Sequence, residues 1–216
     1  MCSANSLRIT FLPTRRKRPT AASTPPAIIR PIDASRLKTY PLQRRHSKVQ
    51  VSNFAKVWTK GRSFARFLDS LPDILAVKTL REVAQAIAKA HRNGRPVIVG
   101  MGAHVVKVGL GPLLVDLMER GIVTALAMNG AVIIHDFELA FMGHTSEEVD
   151  AEIDSGRFGM AEETGRMLNE AITLGMKEGQ GLGESLGSYI HRRKQLFPHR
   201  ATSLLATGFR LGLPVT

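Results

Sequence analysis

From Thr79 the positions Leu80, Val83, Ala84, Ile87, Ala88 and His91 recur at intervals of three and four. Behind a Thr79-x-x-Glu82 capping box they predict an amphipathic helix, which Asn93-Gly94 ends. The period then changes. Pro96-Val97-Ile98-Val99 is a continuous apolar run, the pattern of a strand buried on both faces, and it leads into a loop beginning Gly100-Met101-Gly102-Ala103. A helix carrying Leu113, Leu114, Leu117 and Met118 follows, with Pro112 in its first turn and Gly121 just past its end. A second strand, Ile122 to Met128, empties into Asn129-Gly130-Ala131 and a helix bearing His135, Asp136 and Glu138. The order strand, helix, strand predicts a right-handed βαβ unit.

Before this unit, Ser35 to Phe67 shows no sustained period and reads as an irregular lead-in ending in a short helix near Phe64, Phe67 and Leu68. After it, Thr145-x-x-Glu148 predicts a capped helix closed by Gly156, and Met160 to Met176 carries Met160, Thr164, Met167, Leu168 and Ala171 on one side. Glycines at 175, 179, 181, 183 and 187 predict a mobile loop with a short helix, a candidate lid. The last elements expected are a helix over Ala201 to Leu211 and a strand over Leu213-Pro214-Val215-Thr216. Two parallel strands and one starting strand are few for an open sheet, which usually has about four to six. The expectation is therefore a truncated chain, or one that completes its sheet by association.

Two glycine-containing loops at the same end of neighbouring parallel strands make a crevice lined with free backbone N–H groups, which suits a dinucleotide pyrophosphate. The first loop lacks the third glycine of the common dehydrogenase fingerprint, and the second strand ends in Asn129 where a ribose-binding acid would stand. Gly100 and Gly102 equally fit a tight strand-to-helix turn with no ligand.

Charge changes the picture only once it is located. The net charge of +12 divides into eleven Lys/Arg and a single acid, Asp33, up to Lys48, against nineteen Lys/Arg and seventeen acids from Val49 onward. The body is almost neutral, which argues against a nucleic-acid partner. The basic segment through about Pro31 has no acid and no secretory apolar core. It reads as a disordered extension or residues added by a misplaced start codon, with an organelle transit peptide as the alternative. Cys2 is the only cysteine, so an intramolecular disulfide and a cysteine-ligated metal site are excluded and a reducing, cytoplasmic setting fits. The longest apolar run, Ile122 to Ile134, is shorter than the ~20 residues of a membrane helix.

The stretch from Lys78 to Glu148 resembles the deoxyhypusine synthase family. The resemblance rests on Gly109-Leu110 through Leu114, Leu117 and Gly121, then Gly130-Ala131, His135-Asp136 and Gly143-His144-Thr145, with Leu211-Gly212-Leu213-Pro214-Val215 as a weaker late match. It implies a Rossmann-like α/β domain that binds NAD and forms a homotetramer with active sites at a dimer interface. It also implies removal of a hydride from spermidine and transfer of an aminobutyl group to a protein lysine through an enzyme imine. On this resemblance Gly100, Met101, Gly102, Ala103, Asn129, Gly130 and Ala131 contact NAD, and Asp136 stands near the polyamine amine. Ile134 departs from the pattern, since archaeal-type members often carry another acid there, and neither the family's imine-forming lysine nor its catalytic histidine has a counterpart expected in this chain.

The fold expected is thus an α/β, Rossmann-like parallel sheet flanked by helices over residues 49–216, behind a disordered or irregular basic extension over 1–48. The function expected is an NAD-dependent transferase acting on an amine. The alternatives are a non-catalytic nucleotide-binding or assembly module of the same fold and a homospermidine-type synthase. His135 or Asp136 is expected to face the crevice as a substrate contact, with solvation or helix capping as the competing role. Adjacent residues of a helix point in different directions, so the pair does not make a metal site. Glu138 reads as a solvated charge, Lys107 as a lysine that snorkels or reaches a phosphate, and Arg192-Arg193-Lys194 as a solvated helix end.

Overall fold

The computed structural model describes residues 33–216, and the expectations for the first thirty-one residues and Cys2 lie outside them. Chain contacts divide it into two units, at Lys48 and Val49. Within the first, the described residues form two single 3-10 turns, Ala34–Arg36 and Leu42–Arg44. The second is mostly helical around a small parallel sheet.

Its elements are α1 (Phe64–Ser70), α2 (Leu75–Arg92), β1 (Ile98–Gly100), α3 (His104–Lys107), α4 (Gly111–Glu119), β2 (Ala125–Ala127), α5 (Gly130–Met142), α6 (Val149–Glu152), α7 (Glu162–Lys177), α8 (Leu182–Arg192) and α9 (Leu204–Leu211). β1 and β2 pair in parallel with Val99 opposite Leu126. The segment expected as a last strand joins them through one parallel bridge, Leu126 to Val215. No helix among the described residues is long and apolar enough to cross a membrane.

Several elements differ from their sequence patterns for identifiable reasons. α2 begins at Leu75, four residues before the expected cap, and Thr79 is interior, its hydroxyl donating to the Leu75 carbonyl. Back-bonding of this kind uses the hydroxyl that a cap would need. The helix expected at Leu113 to Met118 is preceded by a separate turn, α3, because Gly109 takes φ +84° and breaks the run. Thr145 caps nothing: α6 is a single turn starting at Val149, and the Thr145 side chain points back to α5. β1 is covered on one face only, so Val99 packs against the core while Ile98 remains 65% exposed.

The largest correction concerns the expected lid. α7 runs through Gly175, and α8 is buried without interruption from Ser185 to Ile190. Its glycines are contact points rather than hinges. A Cβ at Gly183 would overlap the Val215 carbonyl, one at Gly187 the Leu205 carbonyl, and one at Gly208 of α9 the Val215 side chain. Omitting these side chains lets α8, α9 and the last strand segment approach at backbone distance. The core they close contains Leu126, Val132, Phe137, Leu186, Ile190, Phe197, Leu204 and Leu205. Phe137 and Phe197 meet edge to face at 5.3 Å.

Close approach at Gly187 has a measurable cost when violated. A methyl there also comes within 2.9 Å of Phe209 Cβ. Gly187→Ala is expected to destabilise the fold by about 2–3 kcal/mol in urea unfolding, as overpacking does. Gly100→Ala, whose methyl meets nothing within 4 Å, should stay within about 0.5 kcal/mol of wild type.

Candidate functional site

The C-terminal ends of β1 and β2 lie side by side, Gly100 opposite Ala127. The two loops that leave them stay in contact. The Met101 N–H donates to the Ala127 carbonyl at 3.0 Å, extending the ladder by one bond, and the vacant Cβ direction of Gly102 points at Asn129 Nδ2 3.9 Å away. Met101 therefore uses its N–H within the sheet, and its side chain packs on the core. Among the described residues the N–H groups of Gly102, Ala103, Gly130 and Ala131 have no acceptor. Asn129 is the N-cap of α5, its Oδ1 accepting from the Val132 N–H at 3.2 Å, and this leaves the first two amides of the helix open.

The glycines separate the two roles open to them. Gly100, Gly102 and Gly130 all have ordinary backbone angles, since none is among the positive-φ glycines. No neighbour stands within 4 Å of a Cβ built on Gly100 or Gly130. Neither turn geometry nor crowding therefore calls for glycine at these three positions. What the missing side chains leave is open space beside four unused donors.

His135 and Asp136 diverge, as neighbours on a helix must. Asp136 is 2% exposed and points inward, away from the crevice. Its Oδ2 accepts from Ser203 Oγ at 2.6 Å and from the Leu205 N–H at 3.2 Å, and its Oδ1 accepts from the Leu204 N–H at 2.8 Å. Ser203 in turn accepts from the Ala206 N–H. Asp136 is thus a remote cap, supplied by α5 to the N-terminus of α9, and not a substrate contact. Burial raises its carboxyl to about 6, against the lowering effect of the Ser203 hydroxyl and the two N–H donors.

His135 lies on the other side of α5, in a chain of side chains. Its Nδ1 is 2.7 Å from Thr145 Oγ1, and the Thr145 hydroxyl donates to Glu138 Oε2. Glu138 Oε1 accepts from Thr164 of α7 at 3.0 Å. Glu138 is consequently held and half-buried, not a free surface charge. The His135–Glu138 spacing of three was visible in sequence, whereas nothing there pointed to Thr145 or Thr164. Among the described residues no group of three or more His, Cys, Asp and Glu side chains is placed to hold a metal ion.

No protein-family model matches this chain, and a search of curated proteins finds no relative.

The buried cap generates two expected outcomes. Asp136→Ala leaves three donors without a partner and should cost about 2–4 kcal/mol at neutral pH. The folded carboxyl titrates above its unfolded value of about 4, so its contribution is full below that pH and is lost as pH rises toward about 6. Wild type should therefore lose stability relative to Asp136→Asn across that window. A pH-independent difference in denaturant midpoint would show that the carboxyl is not shifted.

Proposed function

We propose that the crevice formed by Gly100–Ala103 and Asn129–Ala131 binds the pyrophosphate of NAD, and that the unit is a variant Rossmann-type domain of the deoxyhypusine-synthase-like kind. The reading is carried by one observation: four unpartnered backbone amides flank glycines whose missing side chains serve neither the fold nor the turn. Backbone donors at the end of parallel strands favour an anion on geometric and dipolar grounds alike. Gly102, Ala103, Gly130 and Ala131 would donate, while Asn129 holds the second loop in shape and Met101 ties the first to the sheet.

When bound, NAD supplies a hydride acceptor, and the function proposed is a transferase that oxidises an amine of the polyamine type and passes on the resulting carbon group. A protein lysine is the acceptor by resemblance, and a free amine the acceptor in the homospermidine-type alternative. The other alternative, a non-catalytic nucleotide-binding module, uses the same crevice.

Isothermal titration with NAD tests the reading at its base. Binding in the micromolar to low millimolar range is expected, and no binding at millimolar NAD refutes it. Gly102→Val should weaken binding at least tenfold without altering helical content or melting temperature, because its Cβ meets only Asn129 Nδ2 at 3.9 Å. Unchanged affinity in that variant would mean that the loop is only a turn.

A further inference from the structure

Ahead of the sheet the chain makes a closed loop. The Asp73 N–H donates to the Asn53 carbonyl at 2.9 Å and the Lys56 N–H to the Ser70 carbonyl at 2.8 Å, so two backbone bonds pin its base. The Arg81 guanidinium of α2 braces the same end, donating to the carbonyls of Leu68 and Leu71. The apex is the turn Thr59-Lys60-Gly61-Arg62, where the Arg62 N–H donates to the Thr59 carbonyl and Gly61 takes φ +86°. Beside the apex Trp58 meets Phe67 of α1 edge to face at 5.6 Å, and Phe64 lies 6.1 Å from that same ring. α1 contributes no buried residue to the core.

The loop presents to water a combination that an isolated soluble surface has no use for. Val57 is 94% exposed and Phe64 72%, and Val51 and Phe54 are exposed as well. Large apolar side chains gathered in one short segment mark a surface that something else covers. The charge of the segment is as one-sided as its apolarity. From Val49 to Leu68 there are four Lys/Arg and no acid, against fifteen Lys/Arg and seventeen acids from Asp69 to Thr216. Lys56, Lys60, Arg62 and Arg66 are all exposed, and none pairs with a carboxylate among the described residues.

We infer that this loop is a membrane-contact surface: Val57, Trp58 and Phe64 enter the headgroup region of a bilayer, and Lys56, Lys60, Arg62 and Arg66 bind its anionic lipids. Apolar insertion and cationic attraction reinforce each other in such contacts. Tryptophan suits that depth, because its ring is apolar and its N–H polar. The four unpaired cations select an anionic surface. The position of the apolar groups, about the apex of a turn, selects lipid, since a bilayer accepts projecting side chains without a matching pocket. Single-stranded nucleic acid also binds cations interleaved with aromatic rings. Val57, however, is the most exposed of the apolar side chains and is aliphatic, so it offers a base nothing to stack on, and Trp58 is already engaged by Phe67. The contact is peripheral and is independent of the crevice at the sheet.

Trp58 is the only tryptophan of the chain, so its fluorescence reports on this loop alone. Vesicles of mixed phosphatidylserine and phosphatidylcholine, added to the full chain at low salt, should shift its emission to the blue, and phosphatidylcholine with brominated acyl chains in the same vesicles should quench it. Vesicles of phosphatidylcholine alone should bind at least about tenfold more weakly, and high salt should weaken binding to the mixed vesicles in the same way. Val57→Asp should lower affinity for the mixed vesicles by about tenfold or more with an unchanged melting temperature, because the side chain is almost fully exposed. The double variant Lys60→Glu, Arg62→Glu should do likewise. The basic residues before Val49 can draw the chain to the same vesicles, and quenching separates the two causes. Unquenched Trp58 on vesicle-bound protein overturns the proposal, as does equal binding to phosphatidylcholine alone or undiminished binding by Val57→Asp. A Trp58 response to a single-stranded oligonucleotide, with none to vesicles, overturns it in favour of a nucleic-acid contact.

Discussion

Asp136 is the constraint on which the arrangement around α5 depends. A carboxylate removed from water needs strong compensation, and here that compensation is the first turn of α9, two backbone amides and the serine that starts the helix. These three bonds tie residues 67 to 69 positions apart in sequence. It fixes α5 at its midpoint against the most deeply buried part of the protein. Because α5 begins at the second loop, the same tie sets where Gly130 and Ala131 stand and which way His135 turns. Interior and site are thus two sides of one helix.

The rest of the core serves that helix by closeness rather than by bulk. Glycines at 183, 187 and 208 let α8, α9 and the Val215 segment meet at backbone range, and Phe137 and Phe197 fill the space under α5. The sheet they support is small, three residues in each strand, and covered on one side. Two such strands have little stability of their own. Their alignment depends on Leu126, which is 1% exposed, being gripped by the helices beneath.

Much of this was legible. The apolar run at Val97 to Val99, the run through Leu126, the glycine loops after each, and the glycine ends at Gly94, Gly121 and Gly143 all follow local rules, and local rules are what a single sequence displays. Three features were set by partners that no local pattern displays. Thr79 and Thr145 have the spacing of caps, but one hydroxyl binds the preceding turn and the other the Glu138 carboxylate, seven residues back on α5. Glycine-rich α8 looked loose because flexibility and tight packing draw on the same residue. The discriminating signal was the four-residue interval between Gly183 and Gly187, which puts both on one helix face. Asp136 was ambiguous for a similar reason: a helix reveals that two adjacent polar residues diverge, not which of them turns inward.

The crevice donors are main-chain amides, and amides do not ionise anywhere in the range where proteins remain folded. If the crevice holds an anion as proposed, its donors should grip equally well at any acidity at which the fold survives, so that any pH dependence of retention would come from the ligand. Such constancy arises from composition alone: the donors are atoms common to every residue.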